Sequence, residues 1–153
     1  MPVPADAFQP DLIVTADDGT DFVLVVEVKR YPTQLAETES QLRQYMLAMR
    51  CPVGLLATPG TLRLYNDQYL SATEESVKLV GEYAAPSEWA MWEGRSAAQT
   101  GTGFEDVVRG WLEGLTTEWG LRPLSPDVRQ AAEDYLLPAL NRGVVRAAHP
   151  RAA

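Results

Sequence analysis

Cysteine and histidine are nearly missing from this 153-residue chain, with Cys51 and His149 the sole examples of each. One thiol cannot close an intrachain disulfide, and a thiolate zinc site would lack its other ligands. His149 falls in a stretch, residues 146–153, that reads as a frayed tail, which disfavours histidine acid/base catalysis. A bound metal must then rely on carboxylate, carbonyl and water oxygens, the donor set of magnesium or manganese. Apolar runs of the roughly 20 residues needed to span a bilayer are also lacking. The opening Met-Pro-Val-Pro-Ala-Asp has neither a basic segment nor an apolar core, so the chain is expected to be cytoplasmic and free of membrane. Bases are scarce as well: 13 Lys and Arg face 21 Asp and Glu, a net charge of -8. That excess disfavours a protein holding nucleic acid through a general basic surface, because phosphate must be neutralised by Lys and Arg.

A hydrophobic content of 46% with 22% charged residues is enough for one core and is ordinary for a folded domain. The charge is unevenly placed. Residues 1–28 carry six acids and no base, residues 29–65 carry five bases against Glu37 and Glu39, and residues 66–134 carry thirteen acids and five bases. A local basic region therefore directly follows an acidic one, and screening over about 8–10 Å makes that local balance matter more than the total.

Leu12 to Thr15 and Phe22 to Lys29 flank an Asp-Gly turn and read as a hairpin. Residues 22–26 are apolar on both faces, the mark of a strand covered on two sides. From about Thr33 to Arg50, Leu35, Leu42, Met46 and Met49 recur at helical spacing, and Thr38 with Gln41 has capping-box form as an alternative start. Cys51-Pro52 stops the helix. Val53 to Thr58, a Pro59-Gly60 turn and Thr61 to Tyr65 read as a second hairpin, giving the order β-β-α-β-β and an α/β sheet with a packed helix. Beyond Tyr65 signals are weak until Ser87, which caps a short helix carrying Trp89 and Trp92. Ala97 to Gly103 reads as a linker. Phe104 to Leu115 is an amphipathic helix with Glu105 in its first turn, and Ser125-Pro126 opens a helix bent at Pro138 and stopped near Gly143. The four tryptophans read as core or subunit contacts before base-stacking platforms.

Chemistry concentrates near the first hairpin. Residues i and i+2 of a strand share a face, so Glu27 and Lys29 project together at the end of the apolar run. A metal held by Asp11 and Glu27 would stabilise charge on a phosphate oxygen, with Lys29 holding the attacking water and countering phosphate charge. The bland alternatives are a turn aspartate and a same-face ion pair at a strand end.

Pro10-Asp11, fifteen intervening residues and Glu27-Val28-Lys29 resemble the signature of the PD-(D/E)XK nuclease superfamily. Gln41-x-x-x-Tyr45 resembles the added motif of its RecB-like and type I restriction-subunit branches. The likeness covers about residues 8–66. It implies a restriction-endonuclease-like core over residues 1–96, a C-terminal helical addition over 97–145 and a tail over 146–153. It further implies metal ligation by Asp11, Glu27 and the Val28 carbonyl, catalysis by Lys29, and support or phosphate contact from Gln41 and Tyr45; Arg43, in the basic region, is added as a substrate contact from its location alone. The expected activity is magnesium- or manganese-dependent hydrolysis of DNA, alone, as a homodimer or within a larger restriction or repair complex. The competing reading is a catalytically inactive module of the same fold that binds nucleic acid or protein. Family members begin with a helix, often acidic, before the first hairpin, whereas nine residues precede Pro10. The Phe104 helix, from this chain or a partner, is expected to fill that place and bring Glu105 near the site.

Overall fold

The computed structural model of this protein describes residues 10–16, 21–29, 33–90, 102–117 and 119–148. Six strands form one mixed sheet: β1 (Leu12–Ala16), β2 (Phe22–Val28), β3 (Val53–Ala57), β4 (Thr61–Asp67), β5 (Val77–Ala84) and β6 (Gly143–Ala147). Their order across the sheet is β5-β4-β3-β2-β1-β6. β2 and β3 run parallel, and every other neighbouring pair is antiparallel. The parallel pair needs a crossover, which α1 (Leu35–Met49) supplies. The architecture is α/β, a six-stranded mixed sheet flanked by helices.

Each sheet face carries its own apolar cluster. On one face Ile13, Val25 and Leu56 pack with Leu42, Met46 and Cys51 around α1. On the other, Leu12, Val14, Leu24, Val26 and Leu55 pack beneath α3 (Thr102–Gly114) with Phe104, Val108 and Leu112. β2 is therefore apolar on both sides because it is covered on both sides, as its composition predicts. Both predicted hairpins form, although the Asp-Gly turn at 17–20 lies outside the described residues.

α1 begins earlier than the capping-box alternative allows. Its first residue is Leu35, preceded by Gln34 in the left-handed region (φ 55°). Thr38 lies inside the helix, buried, and its hydroxyl donates to the Gln34 carbonyl at 3.2 Å. Thr38, Leu42 and Met46 form the buried stripe, one residue per turn. Arg50 ends the helix in the left-handed region, the Cys51 N–H reaches back to the Met46 carbonyl at 2.9 Å, and Pro52 prevents continuation.

Two strands appear where the sequence offers little. β5 lies within the stretch of weak signals after Tyr65; its alternation is blurred by Gly81 and by a register slip opposite Leu64 and Tyr65. β6 corrects the expected helical addition to 145 and tail from 146, since residues 143–147 pair along β1 from Ala16↔Gly143 to Leu12↔Ala147. The preceding helix runs as α4 (Pro126–Ala131), a wide π turn (Ala132–Leu136) and α5 (Leu137–Leu140). Pro138 cannot donate to the carbonyl four residues back, and the widened turn ahead of it accommodates that loss. The short helix α2 (Ser87–Ala90) carries Trp89, whose ring meets Phe104 edge-on at 6.0 Å, while Trp92 and residues 97–101 lie outside the described residues.

Gly143 shows how closely β6 approaches. A Cβ there would sit 1.8 Å from the Thr15 carbonyl oxygen, a backbone atom that cannot swing away. Gly143→Ala is expected to cost about 2–3 kcal/mol through loss of local β1–β6 pairing. Urea unfolding reads this directly, and an unchanged midpoint would contradict the pairing.

Candidate active site

Asp11 sits where three backbone segments meet. Its N–H donates to the Val26 carbonyl at 3.0 Å, and its own carbonyl accepts the Ala148 N–H at 3.1 Å. Its carboxylate Oδ2 accepts the Val28 N–H at 2.8 Å. The last outward N–H of β2 is thus satisfied by a side chain where β1 has ended. Val26 and Val28 carbonyls point to the same strand edge by alternation, and the β1–β2 pairing stops at Leu12↔Val26, short of Val28. The Val28 carbonyl and the Asp11 carboxylate therefore lie on the same edge at the strand tips.

Glu27 faces the α1 side, in line with Val25, and pairs with Leu56 of β3. Its carboxyl is in hydrogen-bond contact with Asp11 and is pushed up to about 10. Burial is the largest cause, followed by the hydrogen bond to Asp11 and the repulsion of its charge. Lys29 and the Val28 N–H pull in the opposite direction but do not win. Burial and the neighbouring Asp11 thus favour the neutral form of Glu27. Lys29 is anchored through its own N–H to the Ala57 carbonyl at 2.8 Å, and its ammonium is near enough to act on Glu27. The structure thus brings Asp11, Glu27 and Lys29 to one place, at the C-terminal ends of the parallel strands.

The helical candidates divide. Tyr45 packs on Phe22 with ring centroids 6.5 Å apart, at the far end of β2. Phe22 and Glu27 are five positions apart, roughly 16 Å of strand. A bulge explains the contact: Val14 pairs with Leu24 and Thr15 with Phe22, so Val23 is left over and Phe22 turns toward α1. Gln41 shares the Tyr45 flank of α1 and lies one turn, about 6 Å, closer to the acid pair. Arg43 lies on the opposite flank. Its guanidinium is 3.6 Å from Glu39 and stacks over Tyr65 at 5.4 Å, within a network where Arg63 reaches Glu39 at 3.4 Å and Glu82 at 3.0 Å. Tyr65 is fully buried and donates its hydroxyl to Glu39. Removing that acceptor with Glu39→Ala is expected to cost about 1–3 kcal/mol, read by urea unfolding, with any metal-dependent activity intact.

Glu105 is buried at 7% exposure in the first turn of α3, on the sheet face opposite Glu27. The Trp89–Phe104 contact and the Ala85 N–H bond to the Gly60 carbonyl set that turn toward the same end of the sheet as Lys29. Among the described residues no group of three or more Asp, Glu, His or Cys side chains is gathered to hold a metal, so Glu105 does not join the pair. The Ala148 bond to Asp11 is the feature sequence reasoning missed. Its signal was faint, a β-branched Gly-Val-Val-Arg-Ala run after a helix stop.

Three cavities of about 250, 290 and 240 Å³ lie elsewhere, and none is lined by Asp11, Glu27 or Lys29. Asp11, Glu27 and Lys29 are each half-buried at the strand tips. Fold and geometry together define a mixed α/β domain bearing paired carboxylates and a lysine at the ends of parallel strands. No protein-family model, curated protein or solved structure matches this chain. Among the described residues no helix is long and apolar enough to cross a membrane.

Proposed function

We propose that the chain is a magnesium- or manganese-dependent nuclease acting on DNA phosphodiesters, with a restriction-endonuclease-like core. The observation that carries this reading is the Asp11–Glu27 contact with Lys29 beside it. Two half-buried carboxyl groups side by side, with Glu27 raised by burial and by its neighbour, form a place where a small hard cation can take the position of a proton. The donor set fits magnesium or manganese: two carboxylates and the Val28 carbonyl, all oxygen, with no soft ligand nearby. A divalent ion there would neutralise phosphate charge and lower the pKa of a bound water.

The remaining roles belong to the chain. Asp11 is held by backbone bonds on both sides, so its carboxylate needs no reorganisation when substrate arrives. Lys29 places an ammonium one step beyond Glu27, where it counters charge building on the phosphate and orients water. Gln41, on α1, would support Lys29 or a phosphate oxygen. Glu105, on the opposite face of the sheet, takes no part in this site, and Tyr45 packs on Phe22 where α1 meets the far end of β2.

One observation favours the non-catalytic alternative: Asp11 Oδ2 already has a structural task in accepting the Val28 N–H. That task leaves the second carboxylate oxygen available, so both readings accommodate it. Incubating the chain with plasmid and linear DNA decides between them. Nicking or cutting that requires magnesium or manganese and stops with chelator is expected; intact DNA under all metal conditions would leave a scaffold.

A further inference from the structure

The edge strand β6 carries a cation onto the face that bears the acid pair. Val145 joins the cluster beneath α3, so alternation turns Val144 and Arg146 to the other face, where Ile13 and Ala148 lie. α1 packs across β2, β3, β4 and β5 on that face, and beyond it Val144 is 55% exposed and Arg146 is exposed. Arg146 pairs in register with Ile13, two residues from Ala148, whose N–H holds the Asp11 carbonyl. Strand spacing and rise then set its Cα about 8 Å from that of Asp11, within reach of a long side chain.

What separates Arg146 from Arg43 and Arg63 on this face is its freedom, and what separates it from Arg50, at the C-terminal end of α1, is its nearness to Asp11. Arg43 and Arg63 are committed to Glu39 and Glu82, whereas Arg146 has no ion-pair or hydrogen-bond partner among the described residues. A guanidinium presents a planar donor fork matched to phosphate oxygens.

Resting on the nuclease reading, we propose that Arg146 binds the backbone phosphate next to the one held at Asp11 and Glu27, so that the DNA strand crosses the β1–β6 margin of the sheet. The competing role is a charge that blunts an exposed edge strand against pairing with other chains.

Salt dependence separates the two, because each lost phosphate contact lowers the slope of log K against log salt by roughly 0.7–0.9. Binding of a short fluorescent DNA duplex is measured with calcium in place of magnesium, and cleavage is measured with magnesium. Arg146→Ala is expected to weaken binding about fivefold at physiological salt, lower the slope by about one contact, and raise KM with kcat nearly unchanged. Arg146→Lys should restore the slope. Lys78→Ala on β5, at the opposite edge of the sheet, serves as the charge-matched control and should leave it alone. An unchanged slope for Arg146→Ala, an equal change for Lys78→Ala, or self-association as the sole effect would overturn the proposal. If the native chain cleaves while Arg146→Ala behaves like it, Arg146 falls and the nuclease stands. If the native chain binds through Arg146 without cutting, the contact stands without the enzyme. If it neither binds nor cuts, both fail together.

Discussion

Lys29→Ala is expected to lower kcat for DNA cleavage by roughly 10²–10³ while leaving the fold in place, the size of effect seen when one transition-state charge partner is removed. The fold should survive because the structural bond at this position is the backbone N–H to the Ala57 carbonyl, which alanine keeps. KM should change little, since the ammonium acts on charge that develops only as the phosphodiester breaks. Lys29→Arg retains charge but moves its centre and spreads it over a plane, so it should recover only part of the rate. Steady-state cleavage with saturating magnesium checks this, and a Lys29→Ala chain that cuts at the native rate would remove the mechanism.

The second large effect concerns stability, pH and divalent ion. Without such an ion, Glu27 has a folded value of about 10 against 4.5 for the free group. Between those limits the folded state holds a proton that the unfolded state has released, so this group stabilises the fold fully below about pH 4.5. Its contribution is lost as pH rises toward about 10. Buried Tyr65 and Cys51 are also raised, but their free values of 10.0 and 9.0 put their effect at higher pH. Glu74 and Asp127 are lowered by hydrogen bonds from Ser40 and Ser125, so their contribution is lost toward acid instead. Urea unfolding from about pH 5 to pH 9 should therefore show a downward slope that Glu27→Gln flattens. Saturating magnesium or manganese would take the place of the Glu27 proton, so its stabilisation should reach about 2.7 kcal/mol at a hundredfold excess over Kd and grow with pH. Asp11→Asn keeps an oxygen for the Val28 N–H and should abolish the ion effect while sparing the fold. A slope indifferent to both Glu27→Gln and divalent ion would show that the pair shares no proton and holds no cation.

Much of the candidate site was legible from local pattern. Glu27 and Lys29 share a face because strands alternate, and Asp11 meets Glu27 because a hairpin brings the start of one arm to the end of the next. Leu42 and Met46 of the expected α1 stripe are buried, whereas Met49 is exposed in the last turn and Thr38 completes the stripe instead. Tyr45 and Arg43 were not legible in the same way. The bulge at Val23 decides that Tyr45 meets Phe22, and the arrival of β4 decides that Arg43 meets Glu39 and Tyr65. Neither event leaves a trace in the residues that it affects.

Residue order alone determined the two hairpins, the crossover helix and its stop at Cys51-Pro52, because turn chemistry, alternation and helical period act within a few neighbours. Tertiary structure decided the rest. β5 and β6 became strands because β4 and β1 offered them unpaired edges, and backbone hydrogen bonding to a distant partner outweighs a weak local preference. The pairing of β6 with β1 also fixed Asp11 and carried Arg146 onto the acidic face, joining residues more than a hundred positions apart that no local rule connects.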